Sequence, residues 1–264
     1  FKKEREIVVC FEKIFIHLAD NVRLSMIRTI IFAFIAAASL ASCSAKTGDN
    51  EFNHNYMWFD CEANYATLSH PDSILFYMKK CQSLGFDNVV VDMKSIMGEV
   101  LYDSRIAPYM GDWEGVERAR DYDMFGYFLQ YGKELGMRVF GSLNIFAGGH
   151  NFFDRGVIYG DKADWQSICY EKGKLVPISS IKTNYNGMMN PSIPEMQDYQ
   201  IAILKEFVQK YPQMDGLIFD RVRYDGITAD FSELSRRQFE EYAGVGVENF
   251  PEDILSWYDE NGKL

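Results

Sequence analysis

Asp87-Asn88-Val89-Val90-Val91-Asp92-Met93 is a β-branched run opened by two turn-favouring residues, and its unbroken apolar centre is what a strand covered on both faces requires. A strand with one wet face would alternate instead. Upstream lies a shorter apolar segment, Met57-Trp58-Phe59-Asp60. Pro71-Asp72 follows it and opens a helical pattern with Ile74, Leu75, Met78 and Cys81 on one face, closed by Gly85. Downstream, Asp121 to Leu135 sets Met124, Phe125, Phe128, Leu129 and Leu135 at helical spacing, with Gly136 placed to stop it. Met137 to Ile145 reads as a third strand. Ser192-Ile193-Pro194-Glu195 has capping-box spacing with Pro in the first turn, and Tyr199, Ala202, Ile203 and Phe207 continue as a helix face towards Tyr211-Pro212. Gly216 to Asp220 is a fourth strand, and Phe231 to Tyr242 a further helix stopped at Gly244. Residues 146–189, rich in Gly, Asn, Asp and aromatics and without a sustained period, read as a long ordered loop.

Strands alternating with helices predict an α/β fold with a parallel sheet. Both a doubly wound sheet and a barrel satisfy that pattern. The barrel is favoured because polar groups follow each strand: Asp60 and Glu62, Asp92 and Lys94, Asn144, then Asp220, Arg221 and Arg223. Groups gathered at the C-terminal ends of strands are what a (β/α) barrel uses for chemistry. No Gly-x-Gly-x-x-Gly follows the first strand, which argues against a dinucleotide-binding domain.

The formal charge of −11 argues against a nucleic-acid partner, which needs a basic surface. The acidity sits in the folded part, because residues 1–42 carry a balance of +2. From Met26 a short basic segment leads into the apolar run Ile30 to Leu40 and then Ala41-Ser42-Cys43, the layout of a secretory signal too short to span a bilayer. Leu40-Ala41-Ser42-Cys43 resembles the bacterial lipoprotein lipobox. That resemblance implies cleavage before Cys43, lipid on its thiol and anchoring to a membrane of the bacterial cell envelope. Residues 1–25 are read as an upstream extension outside the fold, 26–42 as the signal, 43–55 as a tether and 56–264 as the folded part. Cys61, Cys81 and Cys169 are expected as buried thiols, since no spacing of Cys or His suggests zinc. Gly148-Gly149-His150 is too short for a phosphate loop, so neither metal nor cofactor is expected.

Asp215-Gly216-Leu217-Ile218-Phe219-Asp220-Arg221-Val222-Arg223-Tyr224 resembles the DGI-h-x-D-R-x-R-Y strand of the family-10-like glycosyl hydrolases, bacterial envelope proteins often labelled alpha-amylase-like. Gly98-Glu99-Val100-Leu101-Tyr102, Asn144-Ile145-Phe146, Asn190-Pro191 and Asp230-Phe231-Ser232 extend the likeness in order along roughly residues 56 to 257. The resemblance implies a TIM-type (β/α) barrel and cleavage of glycosidic bonds in poly- or oligosaccharides. Strands beginning near residues 57, 88, 138 and 216 leave room for four units before Leu264, so the chain reads as a barrel truncated after about four βα units. Two open sheet edges would then invite self-association.

Glycoside hydrolysis needs two facing carboxyl groups, one of them protonated to act as an acid. Asp220 is the expected catalytic carboxylate, because it ends a buried strand and neighbouring arginines favour its charged form. In amylase-type barrels the nucleophile also ends strand four, but with Arg two residues earlier, where this chain has Ile218. Its partner acid would come after strand five or from Glu62, Asp92 or Asp60. Asp60, Glu62, Asp92, Lys94, Asn144, Arg221, Arg223 and Tyr224 are the expected substrate contacts. A second reading keeps the carbohydrate and drops the chemistry: a non-catalytic binding lipoprotein whose ligand surface is the aromatic loop between Phe146 and Met189.

Overall fold

The computed structural model describes residues 54–255. The upstream stretch, the signal segment, Cys43 and the tether as far as residue 53 lie outside the described residues. In chain order the elements are β1 (Tyr56–Phe59), α1 (Pro71–Ser83), β2 (Asn88–Lys94), the two-residue strands β3 (Asp112–Trp113) and β4 (Val116–Glu117), α2 (Met124–Leu135) and β5 (Arg138–Asn144). They continue with β6 (Ala147–His150), β7 (Ile168–Glu171), β8 (Lys174–Pro177), β9 (Asn186–Met188), α3 (Pro194–Lys210), β10 (Gly216–Asp220), α4 (Glu233–Ala243) and α5 (Glu252–Leu255).

The main sheet has the order β1-β2-β5-β10, and every pairing in it is parallel. This order follows the chain without reversal. A doubly wound sheet reverses at a switch point, whereas a barrel advances strand by strand in one direction. Right-handed crossovers then bring successive helices to the same face. One continuous core bears this out: Phe59, Val89, Val91, Val139 and Leu143 from the strands pack with Ile74 and Met78 of α1, Phe125 and Phe128 of α2, and Ile203 and Phe207 of α3. Cys61, Cys81 and Cys169 are buried free thiols.

Local chemistry sets the helix ends. Pro71 and Pro194 open α1 and α3, the Asp123 carboxylate accepts the Gly126 N–H at the start of α2, and Ser232 accepts the Ser235 N–H at the start of α4. Gly136 and Gly244 close α2 and α4 in the left-handed conformation, at φ of 67° and 69°. The expected capping box of α3 is not formed. Ile193 is the N-cap residue, and the Ser192 hydroxyl meets Ser235 of α4 instead, so a tertiary partner takes the group that a local cap would use. The end of the expected tether is also drawn into the fold. His54 and Asn55 bond to Asp87, and Asn55 Nδ2 donates to the Gly85 carbonyl.

The segment 146–189 is more structured than a period-free loop. β6 pairs antiparallel with β9 and β7 with β8, over a second core of Ile96, Val157, Ile158, Cys169, Ile178, Met188, Met189 and Met196. Glycine conceals β6 and β9 from a periodicity reading. A Cβ on Gly149 would come within 2.7 Å of Ile158, so close packing replaces the side-chain alternation that usually marks a strand.

Gly141, in the middle of β5, makes the same point in the main core. A Cβ there would lie 2.5 Å from the Phe207 ring of α3 and 3.4 Å from the Phe125 ring of α2. Gly141→Ala is expected to destabilise the protein by about 1–3 kcal/mol through overpacking, read as a lower urea midpoint with an unchanged denaturant slope.

Candidate active site

The parallel register sorts side chains between two faces. With Val89, Val91, Gly141 and Leu143 turned to the helices, their neighbours Trp58, Val90, Asp92, Phe140, Ser142, Asn144, Ile218 and Asp220 share the opposite face. Asp92 pairs with Ser142, and Asn144 with Asp220, near the C-terminal ends of the strands. The loop after β1 adds Asp60 and Glu62 at the same end.

Asp92 is buried, and its Oδ1 accepts the Trp58 indole N–H at 2.9 Å. Burial pushes its carboxyl up to about 7; hydrogen-bond donation from Trp58 opposes the rise, while the charges of Asp60 and Asp220 add to it. Glu62 is partly buried, and its Oε1 accepts the Ile96 N–H at 2.9 Å. Burial pushes it up to about 7 as well, against the pull of the Ile96 amide, with Asp60 and Asp92 raising it and Arg221 lowering it. Asp60, Glu62, Asp92, Asp220 and Arg221 therefore act on one another as a single charge cluster.

Asp60 is mainly a turn former, its Oδ1 accepting the N–H groups of Glu62 and Ala63 at 2.9 and 2.7 Å, and this Asx turn aims Glu62. Asp220 is half-buried, with Oδ1 on the Arg221 N–H at 2.7 Å. Arg221 adopts a left-handed backbone with φ of 52°, a conformation that costs an L-residue roughly 1–2 kcal/mol. The turn sends its guanidinium back across the sheet end, where Nε donates to Asn144 Oδ1 at 3.1 Å and NH2 to the Tyr185 hydroxyl at 2.8 Å. Asn144 is buried and donates in turn to the Lys94 carbonyl at 2.8 Å.

Lys94 does not reach this cluster as a substrate contact. A register shift between Asp92 and Lys94 sets it opposite Leu143, fully buried. Its ammonium donates to the carbonyls of Asn144, Ile145 and Ala147 at 2.5, 3.3 and 2.8 Å. Burial pushes its pKa down to about 7, and the three carbonyls use all three of its donors. Lys94 is a clamp between the ends of β2 and β5. Arg223 and Tyr224 stand on exposed chain past the turn.

Other motif residues brace the frame. Asp230 accepts from the Ile168 N–H at 2.6 Å, Asn190 Nδ2 at 2.8 Å, and the hydroxyls of Ser232 and Ser235 at 2.5 and 2.6 Å. Glu99 forms a two-pronged ion pair with Arg155, at 3.0 and 2.7 Å, and Arg155 also meets Asp112. Sequence reasoning missed Trp58 and Tyr185. The Trp58 indole could be placed only once the register was known, and Tyr185 comes from the irregular segment with no spacing that points to Arg221. Among the described residues, no group of three His, Cys, Asp or Glu is arranged to hold a metal ion.

A parallel sheet covered by helices, with carboxyl groups collected at the C-terminal ends of its strands, defines an α/β protein with a candidate acid–base site at that end. The chain belongs to the glycosyl hydrolase-like 10 family, whose sequence profile matches residues 57–262. It is 29% identical over 214 residues to an S-layer-related protein of Niallia circulans, covering 76% of this chain and 13% of that protein's length. It also resembles alpha-L-fucosidase isoenzyme 2 from Paenibacillus thiaminolyticus, with a TM-score of 0.54, 15% identity, and coverage of 77% of this chain and 28% of that one. That likeness is one of fold. A hypothetical protein from Ruminiclostridium thermocellum aligns at a TM-score of 0.45 and 20% identity, over 73% of this chain and 94% of that one.

The raised Asp92 carboxyl has a measurable consequence. It holds its proton in the folded protein above the ordinary value of 3.8, so its contribution to stability is complete below that pH and is lost as pH rises to about 7. Asp92→Asn keeps an acceptor for Trp58 and removes the titration. The variant is expected to gain stability relative to the parent between about pH 4 and 7, by on the order of 2–4 kcal/mol at the top of that window. Urea midpoints measured across pH, with no growing difference between the two proteins, would contradict the desolvated carboxyl.

Proposed function

We propose that the chain supplies the front of a (β/α)-barrel glycosidase, with Asp220 and Glu62 as its pair of carboxyl groups. One observation carries the reading: carboxyl groups after β1, β2 and β10 gather at the same end of the parallel sheet, and burial pushes two of them, Glu62 and Asp92, up to about 7. Hydrolysis needs one carboxyl group to protonate the leaving oxygen and another to act at the anomeric carbon, as nucleophile or as base for water. Glu62 suits the acid. Its Oε1 accepts the Ile96 N–H, as the carbonyl oxygen of a protonated carboxyl does, and leaves Oε2 to carry the proton. Asp220 suits the second role, because Arg221 holds the rim beside it and Asn144 fixes Arg221. Family membership supports a carbohydrate ligand.

Asp220→Asn is expected to lower kcat by roughly 10²–10⁴-fold while leaving glycan binding intact. Glu62→Gln should lose most activity on natural glycosides and much less on aryl glycosides, whose leaving groups need little protonation. Assays on reducing-end release check both, and retained activity in Asp220→Asn refutes its role. A parent protein that binds glycans without cutting any supports the binding-lipoprotein reading instead.

We also propose that the protein is lipid-anchored in the bacterial cell envelope through Cys43, a reading supported by Leu40-Ala41-Ser42-Cys43 and its apolar lead-in. Metabolic labelling with a radioactive fatty acid should mark the parent chain and not Cys43→Ser; equal labelling of both rejects it.

A further inference from the structure

Beside the carboxyl cluster lies a ledge of aromatic rings that contributes little to the core. Phe152, Phe153 and Tyr185 are 58%, 57% and 44% exposed. Phe152 and Tyr185 stand 6.3 Å apart, centroid to centroid, and both border His150, at 5.7 and 6.1 Å. Phe153 packs on His150 at 4.6 Å and on Trp113 at 5.2 Å. Large apolar rings left in water cost solubility and return no burial, so a patch of them on a well-ordered frame marks a contact surface.

The frame is ordered by buried polar groups. Asn151, fully buried, receives the Tyr159 hydroxyl on Oδ1 at 2.7 Å and donates from Nδ2 to the carbonyls of Ile178 and Asn184 at 3.0 and 2.9 Å. Its own N–H donates to the Tyr185 carbonyl at 2.7 Å, which joins the two halves of the ledge. Arg155, paired with Glu99 and Asp112, anchors the other side, and its carbonyl accepts the His150 N–H. The rings are therefore held in place before any ligand arrives, which reduces the ordering cost of binding.

The Arg221–Tyr185 hydrogen bond makes the ledge continuous with Asp220. We infer that Phe152 and Tyr185 form a stacking subsite for a neutral pyranose ring of a glycan chain whose neighbouring glycosidic bond lies at the carboxyl cluster. The C–H face of such a ring covers an aromatic face, while its rim hydroxyls reach Arg221 and the Tyr185 hydroxyl. A neutral sugar fits better than an anionic one, because Lys182 is matched by Asp154 and Arg155 by Glu99 and Asp112, while Arg221 lies beside the carboxyl groups of the cluster, whose charge opposes an anion. This inference rests on the glycosidase reading and adds to it that the substrate is a chain spanning at least two rings.

The test uses the full chain carrying Asp220→Asn, so that bound sugar is not turned over. Malto-, cello-, xylo-, manno- and chitohexaose are titrated by calorimetry, alongside Phe152→Leu, Tyr185→Leu and Phe152→Tyr variants. The hexaose that binds should bind roughly five- to tenfold more weakly to each Leu variant and with little change to Phe152→Tyr, which keeps a flat ring. Melting temperatures should stay with the parent, since these side chains are exposed. A hexaose bound equally by parent and Leu variants overturns the stacking subsite and leaves the carboxyl cluster untouched. A chain that binds none of the five overturns the glycan reading and the subsite with it.

Discussion

The parallel register of β1, β2, β5 and β10 is the constraint from which the rest follows. Once Val90 stands beside Phe140, and Asp92 beside Ser142, alternation sorts the side chains: one face receives Val89, Val91, Val139 and Leu143, and the other receives Trp58, Asp92, Ser142, Asn144 and Asp220. The helix-covered face provides the apolar burial. Gly141 lets α3 come close enough for Phe207 to seat against the sheet, so the packing of a helix and the aim of a carboxylate on the opposite face depend on the same strand.

Desolvation then decides what each polar group does. Lys94, Asp92 and Glu62 are all moved towards neutrality by burial, yet in different settings. The ammonium is wrapped by three main-chain carbonyls and ties strand ends together. The two carboxyl groups accept from Trp58 and from Ile96 and face like charges. A lysine enclosed by acceptors is a structural clamp. Carboxyl groups crowded with other carboxyl groups can exchange protons, which is the property that hydrolysis of a glycosidic bond requires.

The irregular segment between β5 and α3 contributes more than its composition suggests. Its short strand pairs and second core hold a rigid platform, and buried Asn151 spends its side chain on that platform alone. Motif residues that resemble functional ones belong to the same scaffold. Asn190, Asp230 and Ser232 gather into one hydrogen-bonded brace where the starts of β7, α3 and α4 converge.

Four strands, the helices between them, and the placement of Asp60, Glu62, Asp92, Asn144 and Asp220 near strand ends were legible in the sequence, because each rests on local periodicity and on turn or capping residues next to it in the chain. The α3 capping box was misread, since Ser192 found a partner on α4, and β6 was hidden because glycines carry no side-chain pattern. The role of Lys94 turned on a one-residue register shift in β2, which moves a side chain across the sheet and leaves no mark in composition. Likewise the meeting of Tyr185 with Arg221, and of Trp58 with Asp92, depends on residues 36 and 34 positions apart being brought together by the tertiary fold. Local order is written in neighbouring residues; which groups lose water and whose charge they feel is decided only when distant segments pack.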